Sequence, residues 1–360
     1  MNISEEFKNR IDEERIDDAF EAADFLAKSF IKTGRYIVDE SWGPEGLLYL
    51  AESSYALLSA YEITKNEHYL DAVKSILNEL SRIQKPSGGW ALELGKHGDG
   101  IGFKITDEIR NITAEIEDLP PTVAMLKTIS DYQKHSGDLS YIDIGNKAFK
   151  YLMGFWDENY GSFLEKENNK LMALRSNPRS YHLFSFLGIS AWKDFEPDTA
   201  NEILPVILNF IKDTFESYDD QTMPLVYGLH AATLVQHCAP EYIINVIKPR
   251  IDNHLVNNPT FKIDGLKGAY GHRDGLRGIV KNEAHMRSAA GVAIAMKFYD
   301  LYTNSRTYRD TDAYKDVKNW IQSMKGDSFY YEFEILPERK KLGYGSPGQY
   351  LPIWWILGQM

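Results

Sequence analysis

At 360 residues, with 43% hydrophobic and 26% charged residues, the chain is ordinary globular material that can bury a substantial core, and disorder is not expected beyond the first few residues. A formal charge of −12 argues against nucleic acid as a partner, because phosphate binding needs clustered Lys and Arg on a positive face and none stands out. The single cysteine, Cys238, excludes an internal disulfide and fits a reducing compartment. The start Met1-Asn2-Ile3-Ser4-Glu5-Glu6 lacks the basic and apolar parts of a secretory signal, and no run approaches the roughly 18 apolar residues of a membrane span. A cytoplasmic protein without a membrane partner is therefore expected. With no Pro/Gly/Ser-rich linker or shift in composition, residues 1–360 read as one domain.

Taken in chain order, the first predicted element covers Ile16 to Ile31, apolar at Phe20, Ala23, Phe25, Ala27 and Phe30, and stops at Gly34. Leu47, Leu50, Ala51, Ser54, Leu58 and Tyr61 follow helical spacing, as do Tyr69, Val73, Ile76, Leu80 and Ile83, so a helical hairpin with its joint at 64–68 is predicted. The turn Ser87-Gly88-Gly89-Trp90 closes it. The same pattern returns as Val123 to Tyr132, Ile144 to Phe155 and the turn Tyr160-Gly161-Ser162-Phe163. Turn aromatics at Trp42, Trp90, Tyr160, Tyr218, Tyr270 and Tyr330 are 48 to 70 residues apart, irregular intervals that suit hairpins joined by loops of different length.

The opening helix of each pair, at Leu47 to Tyr61, Val123 to Tyr132, Tyr181 to Trp192, Leu225 to Val235 and Ala289 to Tyr302, is the more apolar. Partners such as Ile203 to Phe215 and Ile243 to Leu255 carry one apolar stripe. An inner ring of apolar helices inside an amphipathic outer ring is the assembly this predicts, an all-α arrangement of five to six hairpins. If the inner helices run parallel, the loops before them gather at one end, where free helix N–H groups favour anions. Those loops hold Trp42, Glu45, Asp118, Arg179, Tyr181, His182, Asn282, His285, Arg287 and Tyr344.

With the Ser87-Gly88-Gly89-Trp90 turn, Asp118 just before the helix from Thr122, and the hairpin rhythm over most of the chain, the sequence resembles the α/α toroid superfamily. That superfamily takes in the six-hairpin glycosidases, the toroid polysaccharide lyases and the terpenoid cyclase and prenyltransferase group. The chain has no Asp-x-Asp-Asp acid motif and no partners around Cys238 for a zinc set, which tells against the cyclase and prenyltransferase activities. The carbohydrate-active branch implies a cleft lined by aromatic rings, for which the glycine-linked Trp42, Trp90 and Tyr270 are the candidates.

The densest polar stretch runs from Tyr270-Gly271-His272-Arg273-Asp274-Gly275 to Asn282-Glu283-Ala284-His285-Met286-Arg287. On a helical start Asn282 and His285, three apart, share a face with Arg287 near them. Abstracting a proton next to a uronate carboxylate needs a cation or amide for the carboxylate and a base or acid such as His or Tyr. His285 and Tyr270 are the catalytic candidates, and Asn282, Arg287, His272 and Arg273 the binding ones. Hydrolysis would need paired carboxylates instead, for which Asp118, in the apolar setting Asp118-Leu119-Pro120-Pro121-Thr122, is the best candidate. The reading is a lyase or hydrolase acting on a uronate-containing oligosaccharide, with an isoprenoid-handling toroid and a protein-binding scaffold as rivals. His230 and His237 lack a third ligand, and no metal or cofactor is expected.

Overall fold

The computed structural model describes residues 11–30, 47–91, 117–159, 161–163, 180–214, 248–256, 262–271, 273–274, 278–279, 282–343 and 346–358. The expected helix Leu225 to Val235, together with Tyr218, His230, His237 and Cys238, lies outside these residues. The chain forms two compact units, one of residues 26–62 and 66–218 and the other of residues 1–25, 63–65 and 219–360.

Among the described residues, the first unit holds three hairpins: α2 (Leu47–Thr64) with α3 (Glu67–Ile83), α4 (Leu119–Ser136) with α5 (Ile142–Met153), and α6 (Ser180–Trp192) with α7 (Pro197–Thr214). In each pair the two members differ as their sequences predict. Residues 51–60 of α2, 122–130 of α4 and 185–192 of α6 are buried on every side. Their partners bury one stripe, such as Tyr69, Val73, Ile76 and Leu80 of α3 or Ala148, Phe149 and Leu152 of α5. Each fully buried Leu, Ile or Val contributes about 1.5–3 kcal/mol, so the stripe alone holds an outer helix in place. α4 packs on α6, α5 and α3, and Tyr55 Oη of α2 donates to the Ala124 carbonyl at 2.9 Å.

Local signals set the joints. Asn66 caps α3 by accepting from the His68 N–H at 3.2 Å, a contact of about 1 kcal/mol. The turn at Gly88 has φ +100°, and a Cβ there would lie 2.3 Å from the Lys147 carbonyl oxygen, so both conformation and close approach demand glycine. That turn leads into β1 (Trp90–Ala91), which pairs antiparallel with β2 (Glu117–Asp118), Trp90 opposite Asp118. A second two-residue ladder joins β3 (Trp156–Asp157) and β4 (Ser162–Phe163).

The second unit centres on α8 (Met286–Tyr302), buried along almost its whole length from Met286 to Asp300, with small residues Ser288, Ala289, Ala290, Gly291 and Ala293 in its first half. α9 (Asp312–Ser323), which buries Tyr314, Val317, Trp320 and Ile321, and α10 (Ser346–Leu357) both pack on it, and Trp355 Nε1 of α10 donates to the Tyr314 hydroxyl at 2.9 Å. Lys297 is buried in α8 and donates to the Trp355 and Ile356 carbonyls that end α10, which satisfies two groups a helix terminus leaves open. Asp300, fully buried, accepts from the Tyr308 and Arg309 N–H groups and from the Ser305 hydroxyl, fixing the α8–α9 loop. Residues 351–357, almost wholly apolar, are the second half of α10. α1 (Ile16–Phe30) begins in this unit, where Phe25 meets Phe329 with ring centroids 5.6 Å apart.

Short strands complete the unit. β5 (Arg273–Asp274) pairs with β6 (Gly278–Ile279), and β7 (Glu283–His285), β8 (Phe333–Ile335) and β9 (Lys340–Leu342) form an antiparallel sheet in that order. Among the described residues no helix is long and apolar enough to cross a membrane.

Candidate functional site

The last residue of β7, His285, immediately precedes α8, and its placement follows from the strand. The His285 N–H donates to the Tyr270 carbonyl at 2.9 Å, the Met286 N–H donates to the Glu332 carbonyl at 2.8 Å, and the Leu336 N–H donates to the Asn282 carbonyl at 2.9 Å. Because strand side chains alternate, Glu283 and His285 share one face with their cross-strand partners Ile335 and Phe333, while Ala284 and Glu334 share the other.

On the first face His285 Nε2 lies 2.6 Å from Glu283 Oε1, with only 11% and 9% of the two side chains exposed. The Phe333 ring stands edge-on to the imidazole, centroids 4.7 Å apart at 88°. On the opposite face the carboxylate of Glu334, fully buried, accepts from Trp320 Nε1 at 2.8 Å and Arg339 Nε at 2.6 Å, pinning β8 to α9. Gln349 of α10 clamps the segment before β8: its Oε1 accepts from the Tyr330 N–H at 2.9 Å, and its Nε2 donates to the Tyr330 carbonyl at 2.7 Å. A buried carboxylate and imidazole held on a rigid sheet can accept, hold and return a proton.

The other candidates fall as follows. Tyr270 is buried, and burial, helped by the charge of Asp316, pushes its phenol up to about 12, so it stays protonated at ordinary pH and cannot serve there as a resting base. What it gives His285 is a backbone carbonyl. Asn282 is exposed in the turn before β7, and Arg287, half-buried, lies in the first turn of α8. The expectation that Asn282 and His285 share a helical face is corrected, because residues 283–285 are strand and the period is two.

Trp90 is fully buried and its Nε1 donates to the Leu80 carbonyl at 2.8 Å, so it packs the hairpin and offers no face for stacking on a ligand. Asp118 ends β2 directly before α4, the position His285 occupies before α8. Tyr181 and His182 lie in the first turn of α6, and Arg273 in β5; the side chains of Asp118, Tyr181, His182 and Arg273 lie outside the described ones. Trp42, Glu45, Arg179, His272 and Tyr344 lie outside the described residues altogether. Glu283, Phe333 and Glu334 were missed as site residues. The first was visible as Glu-x-His at strand spacing, whereas the other two come from a distant segment that only pairing brings near. Among the described residues no group of three or more His, Cys, Asp or Glu is placed to hold a metal ion.

Helical hairpins in which a helix buried all round precedes an amphipathic partner, with short ladders in the loops between them, define the α/α toroid proteins, and the chain has that fold. Over 96% of its length it is similar to a cellobiose 2-epimerase from Spirochaeta thermophila DSM 6192, covering 96% of that chain at 13% identity with a TM-score of 0.70. A D-mannose isomerase is similar over 96% of this chain and 97% of its own, at 12% identity and a TM-score of 0.65. So is an unsaturated glucuronyl hydrolase from Bacillus sp. GL1, over 95% and 94%, at 11% identity and a TM-score of 0.60. No protein-family model matches the chain, and no curated protein matches it in sequence.

Proposed function

We propose that this chain is a carbohydrate-active enzyme in which His285 moves a proton at a sugar carbon made acidic by a neighbouring carboxylate or carbonyl. The observation that carries the reading is the buried Glu283–His285 pair at the entrance of an inner helix. The similar structures support the substrate class, since each is named for an activity on sugars. The base takes the proton on the sugar carbon. If a substituent on the next carbon then leaves, a double bond forms and the step is that of a lyase; if the proton returns to the other face, it is that of an epimerase. A uronate-containing oligosaccharide is the leading substrate, with Arg287 assigned to its carboxylate and Asn282 to its hydroxyl groups. A reducing mannose- or glucose-type sugar is the second, suggested by the named activities of the epimerase and the isomerase.

The test incubates purified protein with uronate oligosaccharides and with reducing mono- and disaccharides in D2O. New reducing ends, absorbance of unsaturated product and deuterium at the sugar carbon are read together. Deuterium or absorbance that disappears in His285→Ala is the expected result. A second reading, hydrolysis, is favoured by the place of Asp118 directly before α4. Reducing ends without absorbance or deuterium, lost in Asp118→Asn and kept in His285→Ala, would replace proton abstraction with that reading.

A further inference from the structure

The segment between α9 and β8 is gripped from several sides. Gln349 of α10, fully buried, holds both backbone groups of Tyr330, and the fully buried Glu334 ties β8 to Trp320. The Glu332 N–H donates to the Leu342 and Gly343 carbonyls at 3.1 and 3.0 Å, and its own carbonyl takes the Met286 N–H. Another grip comes from α1. Lys325 Nζ donates to Glu21 Oε2 at 2.7 Å and to the Asp327 carbonyl at 3.1 Å, and lies 5.9 Å from the centre of the Tyr330 ring. The chain just ahead of α1 is fastened as well: Lys318 meets Asp12 at 2.8 Å and Glu14 at 3.1 Å, and the Asp12 N–H donates to the Ile356 carbonyl at 2.9 Å. These anchors differ in what water can reach. Glu334 and Gln349 are sealed, whereas the Glu21 side chain is 55% exposed against 12% for Lys325, so the ion pair to α1 is a contact that dissolved ions screen.

We propose that the Lys325–Glu21 pair is an ion-sensitive latch, by which α1 sets how often β8, and β7 with it, leaves its place. Strands of three residues are too short to stand alone, so β7 and β8 open together, at a free energy set by the contacts around them. Releasing Glu21 removes one such contact and leaves Glu334 and Gln349 in place, so the sheet opens more often while α8 and α9 stay folded. For turnover the latch rests on the reading of His285 as the acid–base group, because that residue ends β7. The opening itself does not depend on that reading.

The experiment is hydrogen–deuterium exchange on the full chain, read by mass spectrometry in peptides spanning 282–286, 329–335 and 289–298. Thermal unfolding of each variant establishes that it is folded before its exchange is read. Glu21→Gln breaks the ion pair and spares the bond of Lys325 within its own turn. It should speed exchange in the first two segments about 1.5- to 5-fold, the range for losing an exposed ion pair, and leave the third unchanged. Wild type in about 1 M salt, where the screening length is about 3 Å, should exchange there like Glu21→Gln, and the variant should not respond to salt. In a Lys325→Met background Glu21→Gln should add nothing. Unchanged exchange at 282–286 in folded Glu21→Gln, a wild type indifferent to salt, or an effect of Glu21→Gln as large without Lys325 overturns the proposal. If exchange follows the expected pattern and no sugar reacts, the latch stands and it is the proposed activity that fails.

Discussion

Two short antiparallel ladders, β1–β2 and β7–β8, lead into helices buried on every side, and they carry different side chains. β1 and β2, before α4, present Trp90, an aromatic side chain sealed in the hairpin with its indole N–H on a helix carbonyl. β7, before α8, presents a carboxylate and an imidazole 2.6 Å apart. The first buries a large apolar body whose one polar atom is satisfied by backbone, which serves stability. The second keeps two titratable groups together with little exposure, where they stabilise a core less than apolar groups of the same volume would. The same backbone device therefore carries a packing residue in one place and the proposed acid–base residue in the other.

The sharpest way to break this comparison is to truncate one residue from each ladder. His285→Ala is expected to cost about 10²- to 10⁴-fold in turnover, the range for losing a general acid–base group, with only a modest change in thermal midpoint. Trp90→Ala is expected to do the reverse, losing about 3–5 kcal/mol of stability in denaturant unfolding while protein that remains folded keeps its kcat. A loss of turnover in folded Trp90→Ala would return that residue to the ligand-binding class.

A smaller effect is expected behind the sheet. Glu334→Leu leaves the Trp320 indole N–H without its acceptor, and urea unfolding should show a loss of about 1–3 kcal/mol. Arg339, more than half exposed, contributes little to that figure. Smaller again is Tyr270→Phe. With the phenol protonated up to about 12 and His285 held by the Tyr270 backbone, most activity and the whole alkaline limb of the pH profile should survive. A lost alkaline limb would show that the phenol titrates in turnover.

The smallest effect is expected in the α4–α5 joint. The Ser140 hydroxyl and N–H, with Lys74 behind them, hold the Asp138 carboxyl down to about 2. A depressed carboxyl contributes stability that is complete above its unfolded value of about 3.9 and is lost as the pH falls toward 2. Asp138→Ala should therefore be slightly less stable than wild type at pH 7, with the gap closing below pH 2 in a pH series of thermal scans.

The hairpin rhythm was legible because helix periodicity and all-round apolarity are local properties: 51–60 and 286–300 announce burial without reference to anything distant. The site was legible only in part. Residues 282–287 were found by their density of polar groups, but a helical period was assigned to a stretch that pairing with Phe333–Ile335 makes a strand, and this replaced Asn282 by Glu283 as the partner of His285. Trp90 looked like a cleft residue because a glycine turn precedes it. Whether a turn aromatic faces solvent or the hairpin depends on what packs over it, which its neighbours in sequence do not state.

The sequence by itself determined the all-helical plan, the alternation of helices buried all round with amphipathic ones, the glycine turns and the segment that carries His285. It could do so because backbone conformation and amphipathic period are encoded within one or two turns of chain. Only the tertiary structure decided which side chain meets the imidazole, which ring closes over it and which carboxylate braces the strand behind it. They depend on the pairing of β7 with β8, which lies far along the chain from it, and a three-residue strand has too little intrinsic preference to form until its partner pairs with it.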